Sequence, residues 1–316
     1  MYLFPNATMF LEKKLPKLLA HAQNVYHTPQ GLQILAGAEE VLLKGYYLPE
    51  DVRFRKSHEI PAEKWQSLID YGYFPKFGKN GKIWINHDIE LDPLDAMRHF
   101  PTPTEAAKEI VDLPAVLEAT AKVHKYMSEW VYTMVNWRNN HLVGCDKYMF
   151  VAQETHTAPP ADMVFDGSFL EGLIEKKSQF KIGFDGSRVI IEEGGGIFYS
   201  LQDKSATYSY PDWTPLWESH KKDIIGKPFM LPSVPKSKKI KKEDPIEIEK
   251  GCYLSKKMLE KVKKAVSLIE NGVTKTKRSD TSILIEKGKT KILAAQMKVE
   301  KEESDYEQEN TPAAAG

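Results

Sequence analysis

Cysteine is scarce in this chain: Cys145 and Cys252 are the only two, and neither sits in a Cys-x-x-Cys or Cys/His spacing. That argues against a disulfide scaffold or a cysteine-based zinc site and for unpaired thiols in a reducing compartment. Net charge is missing too, with 44 basic against 44 acidic residues, so no bulk field draws the chain to nucleic acid or membrane. No run of about 18 apolar residues occurs, the length a membrane-spanning helix needs. The opening Met-Tyr-Leu-Phe-Pro-Asn-Ala-Thr lacks the basic stretch and apolar run of a signal peptide. A cytoplasmic protein is expected, nucleoid-associated if it binds DNA.

Catalytic signatures are equally thin. His87, Asp88, Glu90 and Asp92 could ligate a hard cation, as in a metal-dependent nuclease. Neighbours on a strand face opposite ways, however, so His87 and Asp88 do not converge, and a solvated edge strand is the better reading. Gly194-Gly195-Gly196 lacks a following Lys-Ser/Thr and opens no helix, which makes it a turn and not a phosphate loop. His156 lies two residues after Glu154, but no Ser or Cys stands in a nucleophile elbow. No catalytic residue, metal or cofactor is expected.

What the chain does have is a repeated theme and segregated charge. Residues 236–242 and 256–264 are basic, and 300–309 are acidic. Five segments each read as an amphipathic helix followed by short strands, an α+β pattern. The first has a helix over 10–23, with Leu11, Leu15, Leu18, Leu19 and Ala22 on one face and Lys13, Lys14 and Lys17 on the other. Pro16 interrupts it, as a kink or a delayed start. Strands follow at 32–36 and 40–47.

In the second segment a helix begins after Pro61 and one strand spans 82–91. A helix over 113–126 and strands over 130–136 and 141–152 make the third. The fourth has a helix over 167–176 and strands 180–184, 188–192 and 197–201, the first two joined by Asp185-Gly186, a strong hairpin signal. A helix over 255–269 and strands 272–277, 282–286 and 291–299 form the last. Residues 220–250, rich in Pro and Lys, read as a solvated connection, and everything after 299 as a disordered tail.

Four stretches along this pattern resemble one family. Residues 31–49 look like the first strand pair of the bacterial-type DNA polymerase sliding clamp, followed by Ile60-Pro-Ala-Glu-Lys-Trp, similar to its second helix start. Asn140-His-Leu-Val-Gly-Cys-Asp-Lys-Tyr-Met-Phe-Val-Ala resembles the family's L-x-x-x-A-T-D-G-H-R-L-A segment, with Lys147 where Gly is favoured. Tyr210-Pro-Asp-Trp resembles F-P-D-Y, and Ala295-Gln-Met-Lys-Val resembles the terminal M-P-M-R-L, with Gln296 in place of Pro. The acidic tail is more like the eukaryotic clamp, proliferating cell nuclear antigen. The divergence suggests a virus-encoded version.

The resemblance implies a processivity-clamp fold, with helices lining a ring and sheets outside. Clamp domains would span residues 1–104, 105–222 and 223–300, the third abbreviated by a polar connection at 223–250, with a tail at 301–316. It implies a homo-oligomer, a dimer before a trimer, that encircles double-stranded DNA as a processivity factor for a DNA polymerase. Other proteins carrying clamp-binding motifs and a clamp loader ATPase would be further partners. Lysines on the helices would bind phosphate without reading bases: Lys13, Lys14, Lys17, Lys122, Lys125, Lys256, Lys257, Lys261 and Lys264. A partner-peptide pocket would be walled by Cys145, Lys147, Tyr148, Phe150, Pro211, Leu216, Ser282, Leu293, Ala295 and Met297. The rival reading is a non-ring binding module that uses the lysine-rich 236–264 region.

Overall fold

A computed structural model describes residues 12–44, 56–101, 109–121, 130–194, 196–237 and 239–299. The expected tail at 301–316 lies outside them. Its building block is a first strand, a short helix and three antiparallel strands.

The first unit contributes α1 (Leu15–Leu19), β1 (Asn24–Thr28), β2 (Gly31–Ala36) and β3 (Glu39–Lys44). The second is β4 (His58–Ile60), a tight turn running into α2 (Trp65–Tyr71), then β5 (Pro75–Phe77), β6 (Ile83–Ile85) and β7 (Ile89–Leu91). The third is β8 (Glu109–Val111), α3 (Leu113–Ala119), β9 (Met134–Arg138), β10 (His141–Cys145) and β11 (Met149–Glu154). The fourth is β12 (Met163–Asp166), α4 (Gly167–Leu170), β13 (Phe180–Asp185), β14 (Arg188–Glu193) and β15 (Ile197–Gln202).

A connecting helix α5 (Thr214–Lys222) leads to β16 (Ile225–Phe229) and β17 (Pro245–Glu249). The last unit is β18 (Cys252–Ser255), α6 (Lys256–Ser267), β19 (Lys275–Arg278), β20 (Ser282–Lys287) and β21 (Thr290–Ala295).

Local chemistry sets these boundaries. Pro16 stands in the first turn of α1, where a missing N–H costs nothing; residues 12 and 13 are already helical, and a turn at Lys14 separates them from α1. Ser255 caps α6 by accepting from the Met258 N–H at 3.1 Å, and Asp166 caps α4 by accepting from the Ser168 N–H at 2.9 Å. The strand expected over 82–91 is two strands, because Asn86 and His87 take positive φ and turn the chain back between β6 and β7. Residues 130–133 form a tight helical turn before β9, and Asp146 splits the expected 141–152 strand by accepting from the Tyr148 and Met149 N–H groups at 2.7 Å. The helix expected over 167–176 closes after Leu170. The 220–250 stretch is partly structured, by the end of α5 and by β16 and β17.

The units interlock. Each first strand is lent to a neighbouring unit's sheet: β4 pairs with β1, β8 with β13, β12 with β9, and β16 with β19. The fourth strands then join unit to unit, β3 with β15 and β11 with β21. Two eight-stranded antiparallel sheets result, in orders β4-β1-β2-β3-β15-β14-β13-β8 and β12-β9-β10-β11-β21-β20-β19-β16. A three-stranded sheet β5-β6-β7 and a two-stranded ribbon β17-β18 complete the fold. By the same rule β16 is the first strand of a shortened unit and β17 its second, since β17 holds β18 as β13 holds β8. Residues 230–237 and 239–244 stand where that unit's helix would be.

Alternation along the strands sorts side chains to two faces. In the second large sheet, Leu142, Met149, Val151, Ile283, Ile285 and Ile292 face the main core. That face carries α3, packed on β10 and β11, and α6, packed beside α3. Gly144 has no Cβ for a reason: one built there would lie 2.2 Å from the Val116 carbonyl oxygen, so glycine lets α3 settle on β10. The opposite face carries Val143, Cys145, Phe150, Leu284 and Leu293 against Tyr210, Trp213 and Trp217.

Candidate functional site

The helix lysines divide by what they meet. Lys13 and Lys17 of the first helical segment are exposed, and so is Lys257 at the start of α6. Lys14 is not. It is 4% exposed, with its ammonium 3.4 Å from Glu175 and 3.7 Å from Glu193, and Glu193 is fully buried. Glu193 also accepts from the Tyr199 hydroxyl at 2.6 Å and the Glu175 N–H at 2.6 Å. Lys14 is thus removed from the expected DNA contacts, since its charge joins the first unit to the fourth.

The last and third units are joined in the same way. Lys261 donates to the Asp146 carboxylate and, at 3.2 Å, to the Ala119 carbonyl at the end of α3. Lys264 pairs with Glu118 while staying exposed. Lys256 is half-buried and donates to the carbonyls of Ser237 and Ile240 at 3.4 and 3.2 Å. Lys261 is therefore corrected to a strut between helices, Lys256 reaches solvent only in part, and Lys264 stays exposed but paired with Glu118. Lys122 and Lys125 lie outside the described residues. Spacing alone cannot tell these lysines apart, because the acids they meet come from distant units.

The expected peptide pocket is also rearranged. Phe150 and Leu293 are direct partners across β11 and β21, and each is 4% exposed. Trp213 and Trp217 close over them: the Phe150 ring lies 5.4 Å from Trp213 and 6.2 Å from Trp217. Lys291 reaches across both indoles at 5.8 Å. Cys145 is buried beside Tyr210, which donates to the Val143 carbonyl at 3.2 Å. Ser282, also buried, lies 3.4 Å from the His220 ring of α5. Cys145, Phe150, Ser282 and Leu293 are thus core beneath α5, corrected from pocket floor and walls.

The accessible members are Lys147, Tyr148, Pro211 and Leu216, all exposed, with Ala295 and Met297 half-buried. The Ala295 N–H donates to the Tyr148 carbonyl at 2.8 Å and the Met297 N–H to the Tyr253 carbonyl at 2.9 Å, which fixes the closing segment between the third and last units. Sequence reasoning misses the tryptophans as site-shaping residues. Their signal is present: Trp213, Trp217 and His220 recur at helical spacing directly after Tyr210-Pro-Asp.

The two thiols and the acidic cluster at β7 are engaged within the fold. Burial pushes both thiols up to about 11, so neither is a ready nucleophile. The Lys82 ammonium lies 3.0 Å from Glu90 and 3.3 Å from Asp92, filling the place a cation would need. No cluster of three metal-ligating side chains occurs among the described residues. No helix among them is long and apolar enough to cross a membrane.

The same arrangement of units occurs in solved structures. The Helicobacter pylori beta clamp, solved with a DNA ligase peptide bound, superposes with TM-score 0.56 at 13% identity, covering 93% of this chain and 97% of that one. The chain has the fold of a beta sliding clamp. A chain described as a DNA polymerase III beta subunit from Eubacterium rectale superposes with TM-score 0.54 at 10% identity, over 93% of this chain and 98% of the other. The Streptococcus pneumoniae DNA polymerase III beta chain gives 0.50 at 11% identity, over 93% and 98%. No protein-family model matches the sequence, and no curated protein matches it either. The α+β clamp architecture expected from the four sequence resemblances is therefore the one adopted, across nearly the whole chain.

Proposed function

We propose that this protein is a sliding clamp: a non-catalytic ring that encircles duplex DNA and tethers a DNA polymerase as its processivity factor. The observation that carries this reading is the pairing rule of the fourth strands. Within the chain β3 joins β15 and β11 joins β21, and β7 is the one fourth strand with no such partner among the described residues. That leaves the β7 edge open at one end, and β17, the last strand of the shortened unit, has a free edge at the other. Open edges invite pairing, and head-to-tail pairing between copies closes a ring and removes them. Two copies are favoured over three because the first four units follow the layout of two complete clamp domains.

The domain division proposed is 1–104, 105–222 and 223–300, the third built from the shortened unit and the last one. Retention on DNA comes from closure, with weak phosphate contacts at Lys13, Lys17 and Lys257 that are equivalent at every step. Opening and closing such a ring around DNA calls for a loader ATPase. A peptide partner with apolar anchors would engage the exposed Leu216 and Pro211 of the α5 region and the half-buried Met297, in keeping with the peptide held by the Helicobacter pylori clamp.

The test joins mass to topology. Native mass at micromolar concentration should give a closed oligomer, and protein loaded on nicked circular DNA should stay bound through a salt wash that releases it from linear DNA of the same length. A stable monomer with equal release from both DNAs overturns the proposal. A three-chain mass overturns only the subunit count.

A further inference from the structure

We propose that Lys236, Lys239, Lys241 and Lys242, in the lysine strap of the shortened unit, form a contact for the phosphate backbone of duplex DNA, at the position where the complete units carry a helix. This rests on the sliding-clamp reading and adds a DNA contact of this chain's own. In complete units the segment between first and second strands is a helix: α2 between β4 and β5, α3 between β8 and β9, α4 between β12 and β13, α6 between β18 and β19. Between β16 and β17 no helix is found among the described residues, and the strap takes that position.

The strap is docked. Lys256 on α6 donates its ammonium to the Ser237 and Ile240 carbonyls at 3.4 and 3.2 Å. The Lys256 N–H donates to the Asp244 carbonyl at 3.0 Å and the Lys257 N–H to the Lys242 carbonyl at 2.8 Å. Further back, Lys263 donates to the Pro232 carbonyl at 2.7 Å. The Lys256 and Lys257 bonds hold the strap at the N-terminus of α6, and the Lys263 bond holds Pro232 further along that helix, which packs beside α3.

The bonds use backbone carbonyls, which leaves the strap's own charges outward. Lys236, Lys239, Lys241 and Lys242 are all exposed, as is Lys257 next to them, and none makes an ion pair with a described residue. Two acids follow the strap. Asp244 accepts from the Lys241 N–H at 2.7 Å and Glu243 is exposed, so together they offset two of the five lysines and leave a surplus of three. A docked loop with this surplus of ammonium groups has a row of phosphates as its natural complement. Nothing in it offers a planar fork for a base edge, so it binds without reading sequence.

The experiment uses the full chain with Lys236, Lys239, Lys241 and Lys242 all changed to Ser, and a 40-base-pair linear duplex as probe. Expected is a shallower dependence of log affinity on log salt, by about 0.9 for each phosphate no longer neutralised, with thermal midpoint and native mass unchanged. An unchanged slope overturns the strap proposal, whatever the variant does to protein partners. Failure of the unaltered protein to remain on circular DNA instead overturns the clamp reading, so the two failures are separable.

Discussion

The Trp213 indole lies against the Phe150 ring, centroids 5.4 Å apart and planes tilted by 54°. This pairing decides what a partner peptide can reach, because it seals the Phe150–Leu293 pair from solvent and leaves Leu216 on the accessible side of α5. Leu216→Ala should therefore weaken binding of a polymerase-derived peptide by about 1–2 kcal/mol while leaving stability within about 0.5 kcal/mol. Trp213→Ala should do the reverse first, costing about 3–5 kcal/mol of stability through the cavity it opens. Calorimetric titration and denaturant unfolding read the two effects separately. Equal peptide affinity for Leu216→Ala and the unaltered protein would place the pocket elsewhere.

Lys14 and Lys17 are three residues apart, yet they should behave as different kinds of residue. Lys14→Met strands the buried Glu193 carboxylate without its cation and should cost about 3–5 kcal/mol of stability, with no change in the salt slope of DNA binding. Lys17→Ser should leave stability within about 0.5 kcal/mol and lower that slope by about 0.9. A Lys14 variant of normal stability with a reduced slope would reverse the assignment.

A histidine pair gives the first two units a dependence on acid. His27, buried and bonded to the Tyr73 hydroxyl, is held down to about 3 by burial and by neighbouring His58, whose ring lies 6.1 Å away. His58 is lowered too, chiefly by burial, against the opposing pull of the Gly81 carbonyl at 2.8 Å and of Asp92, with the Lys56 charge acting alongside burial. A depressed folded-state value means that the unfolded chain takes up the proton first. Stability from His27 is thus complete above 6.5 and lost as pH falls toward about 3, by about 2 kcal/mol at pH 5. Glu39 and Asp112, raised by burial, act oppositely at lower pH, because their contribution is present in acid and lost as pH rises. Comparing the unaltered protein with His27→Gln across pH 5 to 8 isolates the histidine. Parallel stability curves would refute it.

Gly144→Ala should be costly although its φ is ordinary. The added methyl meets the Val116 carbonyl at 2.2 Å, so α3 must lift from β10, at about 1–3 kcal/mol or more. Hydrogen exchange should show the loosening first in α3 and in α6 beside it. Unchanged protection there would mean that the helix can shift freely.

The parts of this fold visible in the sequence are those set by local chemistry. The Asp185-Gly186 hairpin, the Ser255 cap and the amphipathic α6 are legible because each rests on residues a few positions apart. β1 escapes a sequence reading because Asn24–Thr28 places Asn, His and Thr around one Val and one Tyr, and its burial comes from β2 and β4 on either side. α5 escapes a sequence reading, with its last three residues falling in the expected 220–250 connection, because six of its nine residues are polar or charged and only Trp217 is buried. The candidate site is unevenly legible for the same reason. Leu216, Tyr148 and Met297 stay accessible, whereas Phe150, Leu293 and Lys14 are taken up by partners more than a hundred positions away.

Because every first strand among the described residues belongs in space to a different unit from the one it begins, those units cannot be lifted out whole. Removing β16 along with the rest of the shortened unit would strip β19 of its neighbour and open a further raw edge in the middle of the chain. Removing β17 would leave β18 unpaired in front of α6. The shortened unit therefore retains the two strands that other units of this chain depend on, β16 for β19 and β17 for β18. An architecture of this kind can be trimmed only from within its loops, never at its seams.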